Sequence, residues 1–206
     1  MIITIDGPGG TGKSTTAQLL AKRLGYYHLN SGTLYRWITF NALQQNLNLN
    51  DSDVLLTLAK KLDYNNIDYN VLMEQNVSDN VAKIASIPAI RAEIVEIQRN
   101  YAKGKDIVVE GRDIGTVVFP DADYKFYFTA SLEIRAKRRY SQMQKDGLEA
   151  DYNGVLESIA SRDRQDIERE HSPLRKAEDA IAIDTDNLTV EQGIDIILKE
   201  IQTLEI

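Results

Sequence analysis

Apolar and polar positions along this 206-residue chain switch repeatedly between a strand period and a helix period. The opening Met1-Ile2-Ile3-Thr4-Ile5-Asp6 is short, β-branched and apolar, the pattern of a strand buried on both faces. Ser14 to Leu24 reads as a helix. Ala17, Leu20, Ala21 and Leu24 recur on one face there, and Gly25 follows as a C-terminal cap. The spacing predicts further helices over 33–46, 51–62 and 89–103, the last carrying Ile90, Ile94, Ile97 and Tyr101 on one stripe. The intervening 63–80 is Asn-rich and weakly patterned. It is either a small hairpin, with Asp68-Tyr69 and Val71-Leu72-Met73 as strand pieces, or a loop.

In the second half, Lys105–Glu110, Tyr124–Phe128 and Ile181–Asp184 read as strands. A basic helix starts at Ser131, a polar loop tip with Gly147 and Gly154 covers 146–154, and another helix covers about 155–170. Thr189-Val190-Glu191-Gln192 is a capping box that opens a final helix. Strands alternating with helices predict an α/β fold, a parallel sheet flanked by helices, in one domain over 1–206. No fixed-period repeat and no linker interrupts it.

Composition narrows the class. With 43% hydrophobic and 27% charged residues the chain is ordinary for a soluble globular protein. The absence of cysteine excludes disulfides, thiolate metal sites and a cysteine nucleophile. Twenty-four basic against 31 acidic residues give a net charge of −7, which argues against a general nucleic-acid or membrane-surface binder. No apolar run reaches the length of a membrane span, and the N-terminus does not read as a signal peptide. A cytoplasmic location is expected. His28 and His171 have no metal-ligand neighbours at helical spacing and read as structural, and Trp37 reads as core packing.

Chemistry enters with Gly7-Pro8-Gly9-Gly10-Thr11-Gly12-Lys13-Ser14, which fits G-x-x-x-x-G-K-[ST] at every required position between a predicted strand and a predicted helix. Glycines let the backbone curl so that successive amides point at phosphate oxygens, and the opening helix adds its positive dipole end. Lys13 is then placed to bridge the β- and γ-phosphates, and Ser14 to offer its hydroxyl to Mg²⁺. The segment predicts a nucleoside-triphosphate site. No Asn-Lys-x-Asp guanine-reading motif is present, and no long apolar strand ends in Asp; the nearest, Ile107-Val108-Val109-Glu110, ends in Glu.

Arginine placement is the second signal. Arg135, Arg138 and Arg139 share one helix face, a destabilising arrangement unless an anion lies between them. Arg162, Asp166 and Arg169 share another face. Guanidinium forks suit bidentate phosphate binding, so the pattern points to a small phosphotransferase that neutralises two phosphorylated substrates.

The motifs together resemble the bacterial cytidylate kinases, the CMP/dCMP-phosphorylating branch of the nucleoside monophosphate kinases. The resemblance rests on Ile3-Thr4-Ile5-Asp6-Gly7-Pro8 running into the phosphate loop, and on Asn30-Ser31-Gly32-Thr33-Leu34-Tyr35-Arg36. It continues through Gly111-Arg112-Asp113-Ile114-Gly115-Thr116-Val117-Val118-Phe119-Pro120, the most specific run, to Arg162-Asp163-Arg164, Asp166, Arg169 and Ser172-Pro173-Leu174. Nearly the whole chain is covered. Asn30 stands where the family pattern has Asp, Glu110 stands where Asp commonly precedes Gly-Arg-Asp, and the stretch from Ser86 to Arg91 is short.

The resemblance implies ATP as donor with Mg²⁺, bound by a phosphate loop over 7–15 (Gly7, Pro8, Gly9, Gly10, Thr11, Gly12, Lys13, Ser14, Thr15), with Arg135 and Arg139 on the donor side. It implies a monophosphate-binding region over about 31–92, which takes in 63–80, and a lid over about 139–160. Ser31 and Arg36 would meet the acceptor nucleotide, Ser86, Arg91 and Asp113 the cytosine ring, and Arg112 the acceptor phosphate. Arg162 and Arg169 would contact phosphate or ribose, and Asp166 the ribose hydroxyls; Lys13, Arg112, Arg162 and Arg169 form the implied catalytic set. The expected reaction is ATP:CMP (and dCMP) phosphotransfer by a monomer. The alternatives are a kinase for another small acceptor, such as UMP, AMP or shikimate, and a nucleotide binder without turnover.

Overall fold

The computed structural model describes residues 1–64, 67 and 71–204. The chain forms two compact units, one from Met1–Leu29 and the residues from Gly104 onward, the other from Asn30–Lys103.

In the first unit, Ile2–Asp6 forms β1, buried from Ile3 to Asp6 as its near-continuous apolar sequence requires. Tyr27–Asn30 (β2), Ile107–Gly111 (β3), Tyr124–Thr129 (β4) and Ile181–Asp184 (β5) complete a sheet of order β2-β3-β1-β4-β5. β1 pairs in parallel with β3 and with β4, and β4 in parallel with β5, with Asp6 opposite both Gly111 and Tyr127. Parallel strands carry their C-termini to one edge, so the segments after β1, β3 and β4 emerge together there. That edge is where open α/β sheets bind ligands.

Lys13–Leu24 (α1) starts from Gly12 and ends at Gly25, whose N–H reaches the carbonyls of Ala21 and Lys22. The last helix of the chain, Val190–Leu204, opens on the expected capping box: Thr189 N–H donates to Gln192 Oε1 at 2.9 Å, and Gln192 N–H to Thr189 Oγ1 at 3.2 Å. Ala17, Leu20 and Ala21 of α1 and Ile194, Ile197 and Ile201 of that last helix bury Ile3, Ile5, Phe126, Phe128 and Ile183 of the sheet. Burial of these side chains stabilises the unit by about 1.5–3 kcal/mol each before the entropy of ordering is subtracted.

The second unit is helical: Ser31–Gln44 (α2), Ser52–Ala59 (α3), Gln75–Ala85 (α4) and Pro88–Ala102 (α5). Asn30 and Asp51 cap α2 and α3 by accepting the N–H of Thr33 and Val54. Its core holds Leu34, Ile38, Leu55, Leu72, Val81, Ile84 and Ile90. Here the sequence reading needs correction. Val71–Met73 is a 3₁₀ turn, not a strand, and α4 begins inside the segment read as hairpin or loop. Val77, Val81 and Ile84 supply the buried stripe that decides for a helix. Asp68-Tyr69 lies outside the described residues.

Two further helices, Leu132–Lys145 (α6) and Tyr152–Glu168 (α7), return to the first unit; α7 starts at its Asp151 cap, earlier than expected, which shortens the loop tip. The last helix, Val190–Leu204, is α8. Among the described residues no helix is long and apolar enough to cross a membrane.

Candidate active site

The chain leaves β1 through Gly7, where φ is +145° and an added Cβ would lie 2.3 Å from the carbonyl oxygen of Phe128 in β4. Only glycine passes that point. Gly7→Ala is expected to destabilise the fold by about 3 kcal/mol, from left-handed strain and steric displacement of β4. A thermal melt within a degree of the parent protein would overturn that account.

Beyond Gly7 the loop's carbonyls are held by the protein. Pro8 O accepts from Thr11 Oγ1 and from Lys13 Nζ, both at 3.2 Å. Gly9 O accepts from Arg135 Nη1 at 3.2 Å, Gly10 O from Arg138 Nη1 at 3.4 Å, and Thr11 O from the hydroxyl of Thr185 at 3.0 Å. With its acceptors committed, the loop has amide donors to offer an anion.

Lys13 is 6% exposed. Burial first, then the charges of Arg112 and Arg162, push its pKa down to about 7, against the opposing pull of Glu110 and Asp166. Arg162 is exposed by surface area, yet the protein packed around its guanidinium, followed by the Arg112 charge, lowers its pKa also. Cations are thus gathered beside the phosphate loop of an acidic chain. Asp166 organises two of them: Arg112 Nε donates to its Oδ2 at 2.9 Å, and Arg169 Nη1 lies 3.6 Å from its Oδ1. Arg169 also donates through Nε to Ser172 O at 2.6 Å and stands 3.7 Å from Asp113 Oδ1. Arg112, Asp113, Arg162, Asp166 and Arg169 are therefore one cluster. Asp166, assigned to the ribose hydroxyls by the resemblance, holds two of these arginines.

Ser14 Oγ donates to Glu110 Oε2 at 2.6 Å, and His28 Nε2 lies 3.6 Å from Glu110 Oε1. Burial acts to raise the pKa of Glu110, but the contacts from His28, Lys13 and Ser14 outweigh it and hold the carboxyl below its ordinary value. An ionised carboxylate beside a hydroxyl is a hard-oxygen donor pair and fits Mg²⁺. Among the described residues no group of three or more His, Cys, Asp or Glu side chains could hold a metal alone. Such an ion would complete its shell with phosphate and water oxygens, as Mg²⁺ does at nucleotide sites.

The three arginines of α6 divide. Arg135 is buried, pairs with Asp163 Oδ2 at 2.6 Å and donates to the carbonyls of Gly9 and Ala130. Arg138 donates to Gly10 O, to Thr185 Oγ1 at 3.2 Å and to Thr185 O at 2.5 Å. Both brace the phosphate loop through its backbone. Arg139 is exposed. Glu110, Asp163, Arg138 and Thr185 were missed as site residues. Glu110 carried a signal as the departure before Gly-Arg-Asp, Arg138 as part of the basic helix face and Asp163 within Arg162-Asp163-Arg164, whereas Thr185 carried none.

In the helical unit, Ser31 opens α2 and is buried. Arg36 Nη1 donates to Leu72 O at 2.8 Å and to Ser78 Oγ at 3.0 Å. Arg91 is 4% exposed; its Nη1 donates to Ala85 O at 3.0 Å and its guanidinium lies 5.6 Å from the Tyr35 ring centre. Ser86 is exposed and ends α4, with its hydroxyl donating to Lys83 O at 2.8 Å. Trp37 is half-buried.

Known proteins share this arrangement to different depths. The shikimate kinase of Bacteroides thetaiotaomicron superposes with a TM-score of 0.53 at 10% identity, covering 98% of each chain, a likeness of fold alone. The cytidylate kinase of Fusobacterium nucleatum is 39% identical over 215 residues, 100% of this chain and 99% of that one. That of Caldanaerobacter subterraneus is 42% identical over 210 residues, 97% and 94% of the two chains. The cytidylate kinase family pattern itself matches residues 3–203, spanning both units and every segment of the cluster around Lys13. With a phosphate loop, a Gly-Arg-Asp segment and an arginine shell all in the family's order, the chain belongs to the cytidylate kinase family.

Proposed function

We propose that this chain transfers the γ-phosphoryl group of ATP to CMP and dCMP, giving ADP and CDP or dCDP. The observation that carries the reading is the convergence of Lys13, Arg112 and Arg162 beside the phosphate loop, where burial first and then the two guanidinium charges push the pKa of Lys13 down to about 7. A cationic basin of that density is unfavourable when empty and is relieved by the combined charge of two phosphorylated substrates.

The loop over 7–15 and Lys13 hold the donor phosphates. Arg112, Arg162 and Arg169 surround the transferred group and the acceptor phosphate, and Asp166 fixes the directions of Arg112 and Arg169. Ser14 with Glu110 holds Mg²⁺, which supplies neutralisation of charge on the phosphate oxygens. A new bond forms between an acceptor phosphate oxygen and the γ-phosphorus as the bond to the β-phosphate oxygen breaks. The attacking oxygen is already ionised near neutral pH, so no general base is required, and alignment with charge stabilisation carries the rate.

Ser31, Arg36, Ser86 and Arg91 are assigned to the acceptor nucleotide by the resemblance, and Asp113 to the cytosine amino group. Uracil presents an acceptor where that carboxylate needs a donor. The monophosphate-binding region is taken as about 31–92 and the lid as about 139–160. Within that lid, Tyr140 and Tyr152 meet edge to face at 5.9 Å, joining α6 to α7. Arg139, exposed on α6, is the donor-side arginine of this scheme. We also take the enzyme to act as a cytoplasmic monomer, which its small size and acidic net charge allow.

The test is ADP release from Mg·ATP with CMP, dCMP, UMP, AMP, GMP and shikimate offered separately. CMP and dCMP are expected to lead. Turnover led by another acceptor would overturn the base assignment, and ADP release independent of any acceptor would overturn the kinase reading.

A further inference from the structure

Asp6 ends β1 and is 4% exposed, a carboxylate buried where the phosphate loop begins. Among the described residues it pairs with no basic side chain. Its two oxygens instead accept backbone N–H groups: Ile114 N donates to Oδ1 at 2.9 Å and Gly115 N to Oδ2 at 2.7 Å. These amides open a π-helical turn, Ile114–Val118, in which Val118 N–H closes on Asp113 O at 3.2 Å and Phe119 N–H on Ile114 O at 2.7 Å. Widened turns of this kind recur at functional sites.

The turn begins directly after Arg112-Asp113, and β-sheet register sets Asp6 opposite Gly111, the residue before Arg112. The segment is pinned on both sides. Gly115 packs so tightly that an added Cβ would lie 3.0 Å from Thr4 Oγ1 and 3.4 Å from Asp6 Oδ2. The arrangement carries an electrostatic cost. Burial pushes the Asp6 pKa up to about 6 in spite of both hydrogen bonds, and Asp113 adds a like charge. A neutral Asn, Ser or Thr caps a turn without that cost. What they lack is two acceptor oxygens on one rigid fork. An Asn side chain offers one oxygen, and its NH₂ would face the second amide.

We propose that Asp6 is a positioning residue for phosphoryl transfer, a joint that fixes Arg112 and Asp113 relative to the phosphate loop. Its main chain continues into Gly7 and the donor side, while its carboxylate grips the segment assigned to the acceptor. The inference rests on that acceptor assignment. Donor and acceptor groups must be aligned to a fraction of an ångström, and misplacement by about 1 Å costs on the order of 100-fold in rate.

The experiment compares Asp6→Asn, Gly115→Ala and Arg112→Ala in steady-state assays with CMP and ATP. Each is accompanied by a thermal melt and by titration with a fluorescent ADP analogue. Asp6→Asn is expected to lower kcat and raise KM for CMP, with a loss in kcat/KM of about 10- to 100-fold, while the ADP analogue binds as to the parent enzyme. Gly115→Ala presses on the same contact from the other side and is expected to show the same split. The double variant should lose less than the product of the single losses. Parent values of kcat and KM for CMP in Asp6→Asn would overturn the joint, and so would an equal loss of ADP-analogue affinity. Should Asp6→Asn not fold, Gly115→Ala decides by the same criteria. If Arg112→Ala itself leaves CMP turnover intact, the acceptor assignment beneath the proposal has failed. If Arg112→Ala loses it and both other variants keep it, the joint alone has failed.

Discussion

Lys13→Met is expected to lower phosphoryl transfer by at least about 100-fold and, at the same time, to raise the melting temperature of the nucleotide-free enzyme. The two effects have one cause. Lys13 Nζ is buried beside Arg112 and Arg162, and its pKa falls from 10.5 to about 7. Between those two values the unfolded chain holds a proton that the folded chain has released. Stability therefore rises with pH from about 7 towards 10.5, and below about 7 the folded protein carries the full penalty of a buried charge among like charges. Methionine removes the penalty and keeps much of the volume. Pro8 O, which loses the ammonium, still accepts from Thr11 Oγ1. The gain in melting temperature should be largest near pH 6.5 and should fade in alkaline buffer, at about 2–4 °C per kcal/mol for a chain of this size. With ATP phosphates in place the same ammonium changes from a liability to the main cation on the γ-phosphate, so catalysis collapses in the variant. A variant that melts below the parent enzyme at pH 6.5, or that turns over within a fewfold of it, would contradict the argument.

The parts of this site that were legible in the sequence are those set by local geometry. A Gly-rich run between an apolar strand and a helix states its own purpose, and the Thr189 capping box forms as its spacing says. Asp166 and Arg169 fall on one face of a helix end, and Arg112 joins them from the segment just past β3. The errors come from information held elsewhere in the fold. Arg135, Arg138 and Arg139 look like an anion trap as long as only their spacing is known. The acceptors of Arg135 and Arg138 are Asp163 on α7, two loop carbonyls and Thr185 after β5, none of which helical spacing can supply, while Arg139 stands exposed. β2 was missed because it is an edge strand in which Leu29 alone is buried. In α4 the surrounding asparagines and glutamine concealed a stripe that did carry a helical period. Glu110 is the instructive case. Its departure from the family pattern was visible, but its meaning needs the Ser14 hydroxyl and the His28 ring, which only folding brings to its two oxygens.

Arg112→Ala should separate the two substrates. Its Nη2 packs over Gly9 of the phosphate loop, 3.5 Å from where a Cβ there would stand, whereas its Nε is bonded to Asp166 at 2.9 Å and it leads directly into Asp113 and the π-helical turn. Loss of this side chain is expected to reduce kcat/KM for CMP by about 1,000-fold, the scale of removing an arginine that stabilises the transferring phosphoryl group. Affinity for the ADP analogue should hold. Removing one neighbouring cation raises the pKa of Lys13 and strengthens its positive charge towards the donor phosphates, which works against any loss on that side. Arg112→Lys tests whether charge or direction matters. A lysine restores a point charge but not the fork that bonds Asp166 while facing a phosphate, so it should recover little of the lost rate. Full recovery by lysine would reduce Arg112 to a source of field. Equal losses of ADP-analogue binding and of CMP turnover in Arg112→Ala would move the residue from the acceptor to the donor, and the division of labour along β3 would have to be redrawn.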